Sequence, residues 1–411
     1  MDGAKDAGWY TICRVTATWI LRNVRPLGAA ASDIVIMGES IGAVVPAGTA
    51  TAADAPVVDG RGLLALPGFI NAHAHVDKSW WDQPWVSYGG VPSTQGRIEH
   101  ERAHRDELQI PSVGGVEKIL RQFLRHGTTA TRSHVDVDLG LGLRGVEDVL
   151  EAGRNLGGAI EIEIVAFPQD GVIRRPGVVK LLEEAASMGV KNIGGLDPAG
   201  IDRDPVAQLD ALFDIVDRTG VGLDIHLHDG GELGKFQIEL IADRTLAVGA
   251  QGRVNVAHGF ALGEISDREQ QELLPRLAEA GISWTTVAPV RTAPLPWRTM
   301  RESGMGLGLG TDGIRDLWNP FGDGDLLSVA LTFARLHGMR TDDDLARAVS
   351  LASTEAAPFV HRDQHDLTAG SRADIVLVDA QNVPDALVLG PRRETVVAGG
   401  RVVVEDAQVV I

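Results

Sequence analysis

The stretch VGLDIHLHDGGELGKFQIELIADRTLAVGAQGRVNVAH, residues 221–258, decides the architecture. It opens on a short β-rich run, VGLDIHL (221–227), passes through the amphipathic segment FQIELIADRTLAVG, and returns to a second β-rich run, RVNVAH (253–258). Strand, helix and strand in that order form a crossover unit whose two strands lie parallel. The helical segment stops at Gly249, as helix C-termini favour. A histidine stands at the end of each run, His226 in the first and His258 in the second.

Outward from this unit the same alternation extends from about residue 66 to residue 312. The runs are LPGFINAHA (66–74), TTATRSHVD (128–136), IEIEIVAFP (160–168), KNIGGL (191–196), VGLDIHL (221–227), RVNVAH (253–258), ISWTTV (282–287) and GLGLGTD (306–312). Amphipathic segments such as VEKILRQFLRHG, VEDVLEAGRNLG, DPVAQLDALFDIVDRTG and SDREQQELLPRLAEAG stand between them. Eight parallel strands with helices between them predict an α/β chain with a (β/α)8 barrel, here over residues 66–365. The flanks differ: DIVIM, DIVLVD and ETVVAGGRVVVED alternate with period two. Neither end alone has enough strands to bury a face, so residues 1–65 and 366–411 are expected to build one β-sandwich module together. The first ten or so residues fit no element and read as a loose extension.

A length of 411 residues accommodates a large barrel with such a module. No run of about 18 apolar residues is present that could span a bilayer. Lys and Arg total 38 against 56 Asp and Glu, a net charge of −18, which argues against nucleic acid or an anionic membrane as partner. A small neutral or cationic ligand fits better. The single cysteine, Cys13, cannot form an internal disulfide, and MDGAKDAGWY lacks the regions of a signal peptide, so a cytoplasmic location is expected. A homo-oligomer stays open.

In a barrel, side chains at the C-terminal strand ends face one shared mouth. His73 and His75 close strand 1, His226 strand 5, His258 strand 6 and Asp312 strand 8. Residues i and i+2 share a face, so His73 and His75 can aim at one ion. With His226 and Asp312 they make an N/O donor set suited to one zinc or iron ion, which lowers the pKa of a bound water. A lone histidine at a strand end is more often a hydrogen-bonded loop residue; five such polar residues at the same end favour the metal. His100, His104, His126, His337, His361 and His365 read as loop or helix-face residues. GMGLGLGTDG matches neither a dinucleotide nor a Walker loop, and no GxSxG elbow or CxxC pair occurs.

PGFINAHAHVDK, TRSHVDVD, IVAFPQDGV, LDIHLHD, VAHG and GTDGIRDLWNPFG, spread over nearly the whole chain, carry a resemblance. The chain resembles the amidohydrolase superfamily and, within it, the cytosine deaminase branch and its N-isopropylammelide isopropylaminohydrolase relatives. The resemblance implies one metal ion on His73, His75, His226 and Asp312. It implies His258 beside the activated water, Gln169 on an amide-like substrate edge and Trp318 as a pocket wall. Binuclear members carry a bridging lysine at the end of strand 4; here that end reads GGLDP, and Lys191 lies at the other end. Two departures bear on the substrate. Cytosine deaminase has HCDE after strand 5 and a second aspartate after the metal aspartate, whereas this chain has HLHD, with Asp229 at the glutamate position, and Gly313. HLH and the lysine of HVDK resemble the isopropylammelide enzymes, which implies His228 and Lys78 on ring oxygens, with Lys78 stabilising developing charge. Asp77 is expected to brace a ligand histidine, and Asp197 either faces the pocket or caps the helix at Pro205. The loop-amide reading of Gln169, the core-packing reading of Trp318 and the solvent-facing reading of His228 stand beside these roles.

The leading expectation is hydrolytic deamination of a small nitrogen heterocycle, a pyrimidine or s-triazine, with His258, Asp312, Asp229 and Lys78 in the chemistry. Ring opening of a cyclic amide, as in hydantoinases, is the alternative, disfavoured by the missing strand-4 lysine. A non-catalytic binding barrel is the third and weakest.

Overall fold

The computed structural model describes residues 18–51 and 55–411; the N-terminal extension and Cys13 fall outside these. Eight parallel strands follow one another round a barrel in chain order: β1 (Phe69–Ala74), β2 (Thr128–Asp136), β3 (Glu161–Phe167), β4 (Asn192–Leu196), β5 (Gly222–Leu227), β6 (Val254–His258), β7 (Ser283–Thr286) and β8 (Leu307–Leu309). The strands are covered on both faces, and β2 is buried at every position. The helices between them begin where the chain supplies caps. Ser112 caps Val113–Arg125, Asp204 caps Pro205–Thr219, and Ser266 with Glu269 forms a capping box on Asp267–Glu279. Pro205–Thr219 ends at Gly220 with φ 77°, a left-handed residue that costs glycine little.

The barrel closes between β8 and β1 by an unusual seam. Asp312 N–H donates to His73 O at 3.0 Å, and the Asn71 side chain grips Thr311 through Nδ2 to Oγ1 (2.8 Å) and Oδ1 from N–H (3.1 Å). Lower down, the chain leaving helix Asp342–Ser350 fills the gap, with Leu351 O accepting from Leu309 and Ala352 O from Ile70. Gly310 lies so close to β1 that a Cβ there would fall 2.5 Å from His73 Cβ.

Both chain ends meet in a nine-stranded mixed sheet. Strand Leu64–Pro67 joins them, pairing parallel with Arg25–Pro26 and antiparallel with Ile375–Val378. The expected first run, 66–74, is therefore two strands parted at Gly68, where a Cβ would meet Thr129 Oγ1 at 2.3 Å. The strand Ile375–Val378 shows how the sheet is covered. Ile375 and Leu377 pack with Trp19, Leu21, Ile34 and Ile36 in a core of the sheet's own, while Val376 and Val378 join the large core of the barrel. The C-terminal segment, read as strands, also contains helix Val383–Leu389, capped by Asn382. No helix among the described residues is long and apolar enough to cross a membrane.

Candidate metal centre and active site

The pleat of β1 turns His73 and His75 to the inner face, β5 contributes His226, β6 ends on His258, and Asp312 follows β8. All four imidazoles are buried. Asp312 Oδ1 lies 3.3 Å from His75 Nε2 and 3.7 Å from His73 Nε2, and His226 Nε2 faces His75 Nε2 at 3.3 Å. Both ring nitrogens of His73, and Nδ1 of His75 and of His226, are buried without a hydrogen-bond partner among the described residues. An orphaned buried polar atom costs about 1–3 kcal/mol, a cost that a cation bound at His73 Nε2, which faces Asp312, would remove. Burial holds His75 well below its ordinary pKa, and burial with the neighbouring imidazoles does the same to His226, so both stay in the neutral form that ligates metal. Burial would raise Asp312, but His73 and His75 outweigh it and keep the carboxyl well below the usual range. Three imidazole nitrogens and a carboxylate oxygen therefore fit a divalent transition metal. His258 and Asp312 both adopt left-handed backbone, φ 67° and 61°, a strain that folds tolerate where a side chain must be aimed.

A further imidazole in this group, His134 on β2, is one that the sequence reading did not single out. Its ring centroid lies 4.3 Å from that of His73 and 4.5 Å from that of His226. Its ligand atom falls within 4.8 Å of those of His73, His75 and His226, whereas His258 groups with His73 and Asp312. Below it, Asp224 Oδ1 stands 3.2 Å from His134 Nε2, and the carboxylate is held by Arg132 (3.1 Å) and Asn255 (2.8 Å). Burial pushes His134 down to about 4, so it too is neutral.

Above the histidines lies a small pocket of about 60 Å3, lined among others by Lys78, Gln169, His228, His258, Asp316 and Trp318. Lys78 is buried, with Nζ 2.7 Å from Asp136 and 2.8 Å from Gln169 Oε1, and 3.6 Å from Glu101. Gln169 Nε2 donates to Glu101 and Asp136, so both of its donors are taken. Trp318 donates Nε1–H to Glu101 at 2.6 Å. Burial would lower the Lys78 pKa, but Asp136, Glu101 and Asp77 outweigh it and raise it. Glu101 comes from helix α1 (Thr94–His104) in the long β1–β2 connection, and neither it nor Asp136 was anticipated as the anchor of Lys78. Asp316 is pushed up to about 7 by burial and by the charges of Asp312 and Glu101, against Lys78.

His228 lies beyond the end of β5, half-buried, with its ring stacked on His258 at 4.6 Å. Asp197 decides its posture: one oxygen accepts from His228 N–H at 2.5 Å and the other takes Nδ1 at 2.9 Å, leaving Nε2 for the pocket. Asp197 thus braces His228, and the cap of the helix at Pro205 is Asp204. Burial would lower His228, but Asp197 outweighs it and raises the pKa; His258, buried and beside His228, is pushed well below its ordinary value. Asp229 is placed differently from its expected catalytic role. Its Oδ2 accepts from Gly200 N–H and Gln237 Nε2, both at 3.0 Å, which turns it to the β4 loop and away from the pocket lining. Asp77 likewise braces no ligand histidine: its Oδ2 accepts from Asp136 N–H at 2.8 Å. Lys191 precedes β4 and is exposed, far from the mouth end where a bridging lysine would stand.

Comparison with known proteins agrees with this arrangement. An amidohydrolase family profile matches residues 114–404. N-isopropylammelide isopropyl amidohydrolase of Pseudomonas sp. (strain ADP) is 30% identical over 364 residues, covering 86% of this chain and 89% of that protein. The crystal structure of N-isopropylammelide isopropylaminohydrolase from Burkholderia multivorans ATCC 17616 matches with a TM-score of 0.92 at 39% identity, over 96% of this chain and 100% of that one. The 5-methylcytosine deaminase of Klebsiella pneumoniae, 22% identical with a TM-score of 0.80 over 94% of this chain and 97% of its own, shares the fold. With a matching profile over most of its length and the histidine and aspartate set at the mouth of its barrel, the chain belongs to the amidohydrolase family.

Proposed function

We propose that this hydrolase is a metal-dependent aminohydrolase that removes an amine from a small nitrogen heterocycle, an N-alkylammelide-like s-triazine before a pyrimidine. The observation that carries the reading is that Lys78 and His228 line one pocket with His75, His226 and Asp312. One divalent cation, zinc or iron, held by that set would activate the attacking water. The chain's own groups do the rest. Lys78 has three N–H donors; Asp136 and Gln169 take two, and the third, with Glu101 no nearer than 3.6 Å, would turn to a ring oxygen on which negative charge develops. His228 presents Nε2 to the same edge, and Trp318 and Phe167 flank the ring. His258, kept neutral by burial, takes a proton from the water as it adds to the ring carbon. The exocyclic C–N bond then breaks, and His258 returns that proton to the departing amine. A net charge of −18 and a single cysteine support a small-molecule partner and a cytoplasmic setting.

The test is release of isopropylamine from N-isopropylammelide by zinc-loaded protein, with Asp312→Ala expected to fall to background. No amine from that compound or from a panel of aminotriazines and aminopyrimidines would sink the proposal. Ring opening of cyclic amides is the weaker reading, since β4 ends in Gly194, Gly195 and Leu196 with no lysine to bridge two metals. About two metal ions per chain by elemental analysis would revive it.

A further inference from the structure

The residue after the metal aspartate is Gly313, and the structure shows why nothing larger stands there. A Cβ on Gly313 would fall 1.7 Å from Asp316 Oδ2 and 2.7 Å from its Cγ: the Asp316 carboxyl fills the room that a side chain at 313 would need. Asp316 is 4% exposed and lines the same pocket as Lys78 and His228. Its two oxygens are not equivalent. Oδ1 accepts from Trp318 N–H at 2.8 Å and from Asn319 N–H at 2.7 Å, an Asx turn that fixes the side chain. Oδ2 lies over Gly313, and no donor among the described residues hydrogen-bonds it.

An oxygen of a buried carboxylate that is held rigidly, lines the pocket and has no donor is an acceptor open to a ligand. Lys78 across the pocket offers the opposite polarity, a donor. We infer that Asp316 is a specificity-determining residue whose Oδ2 accepts a ring N–H of the substrate, taking the place of a side chain that Gly313 does not supply. This rests on the heterocycle aminohydrolase reading and narrows it to rings that present an N–H beside a carbonyl, as oxo-s-triazines do, and not to rings alkylated at that nitrogen.

Asp316→Asn is the informative variant, because the amide oxygen can keep the Asx turn while an NH2 group replaces Oδ2 and meets a ring N–H donor to donor. Zinc-loaded wild type and D316N would be titrated calorimetrically with cyanuric acid and with its 1,3,5-trimethyl derivative, which has no ring N–H. The expected result is loss of at least tenfold in cyanuric acid affinity in D316N, with the preference over the trimethyl compound collapsing and metal content unchanged. Affinity within twofold of wild type in a folded, metal-replete D316N overturns the inference while leaving the parent reading intact. Gly313→Ala is the second arm: its methyl must push the carboxyl aside, so it should show the same loss without removing any polar group, and unchanged affinity there also overturns the inference. Wild type that neither binds cyanuric acid nor releases isopropylamine from N-isopropylammelide removes the aminohydrolase reading, and this inference with it.

Discussion

A buried lysine beside Asp136, Glu101 and Asp77 is held by groups that need it as much as it needs them. Lys78→Met keeps the length of the stem and leaves those carboxyl groups without their cation, so the loss should exceed that of a catalytic contact. We expect about 3–5 kcal/mol lower stability in urea unfolding, together with loss of amine release. His134 offers a different test. Lying 3.2 Å from Asp224 and packed against the rings of His73 and His226, it fixes the space that those imidazoles can occupy. His134→Asn, which removes this packing, is expected to weaken binding of an added divalent metal such as zinc by roughly tenfold in a chelator competition. Asp316 supplies a pH signature. In the metal-free protein its folded pKa of about 7 lies above the ordinary value of 3.8, so its share of stability is present at low pH and is lost as pH rises from 3.8 through 7. D316N has no such slope. The unfolding free energy of chelated D316N, relative to chelated wild type, should therefore be higher at pH 8 than at pH 5, by roughly 2–3 kcal/mol.

At the level of the element, period two explains most of what the sequence made legible. HxH on β1 was readable because both histidines face inward on a run otherwise apolar, and the eight runs of the barrel fell where the strands lie. The same rule would have found His134: Arg132, His134 and Asp136 are polar at every second position of a strand with no exposed residue. Glu101 could not be found this way, since it reaches Lys78 from α1, inside a connection where no periodicity ties it to a strand. Asp229 does not follow its position in the motif: one step past His228 the chain has already turned toward Gly200, a change of direction that strand alternation does not describe. The division of the run 66–74 depends on Gly68, whose proximity to Thr129 is a tertiary fact. The β8–β1 seam is the element most exposed to change. Gly310→Ala forces a methyl against His73 and should destabilise by about 1–3 kcal/mol, the range of overpacked cores, with weakened metal retention on gel filtration.

For the whole molecule the telling detail is that the two-ended sheet has no separate allegiance. Its strand Ile375–Val378 gives alternate residues to its own core and to that of the barrel, and Arg393, buried, donates to His126 O and pairs with Asp325 on the barrel side. Sheet and barrel should therefore melt together: differential calorimetry is expected to give a single endotherm, and two resolved peaks would show that the shared core contributes little.

The backbone bond that fastens the last strand to the first joins His73 and Asp312, two members of the proposed metal set, whose side chains approach to 3.7 Å. Loading the ion would thus act like a rivet driven through a hoop at its joint. Cells starved of zinc or iron should accumulate a looser chain that proteases clip first near residues 310–313, and the supply of trace element would set how much protein survives as well as how much works.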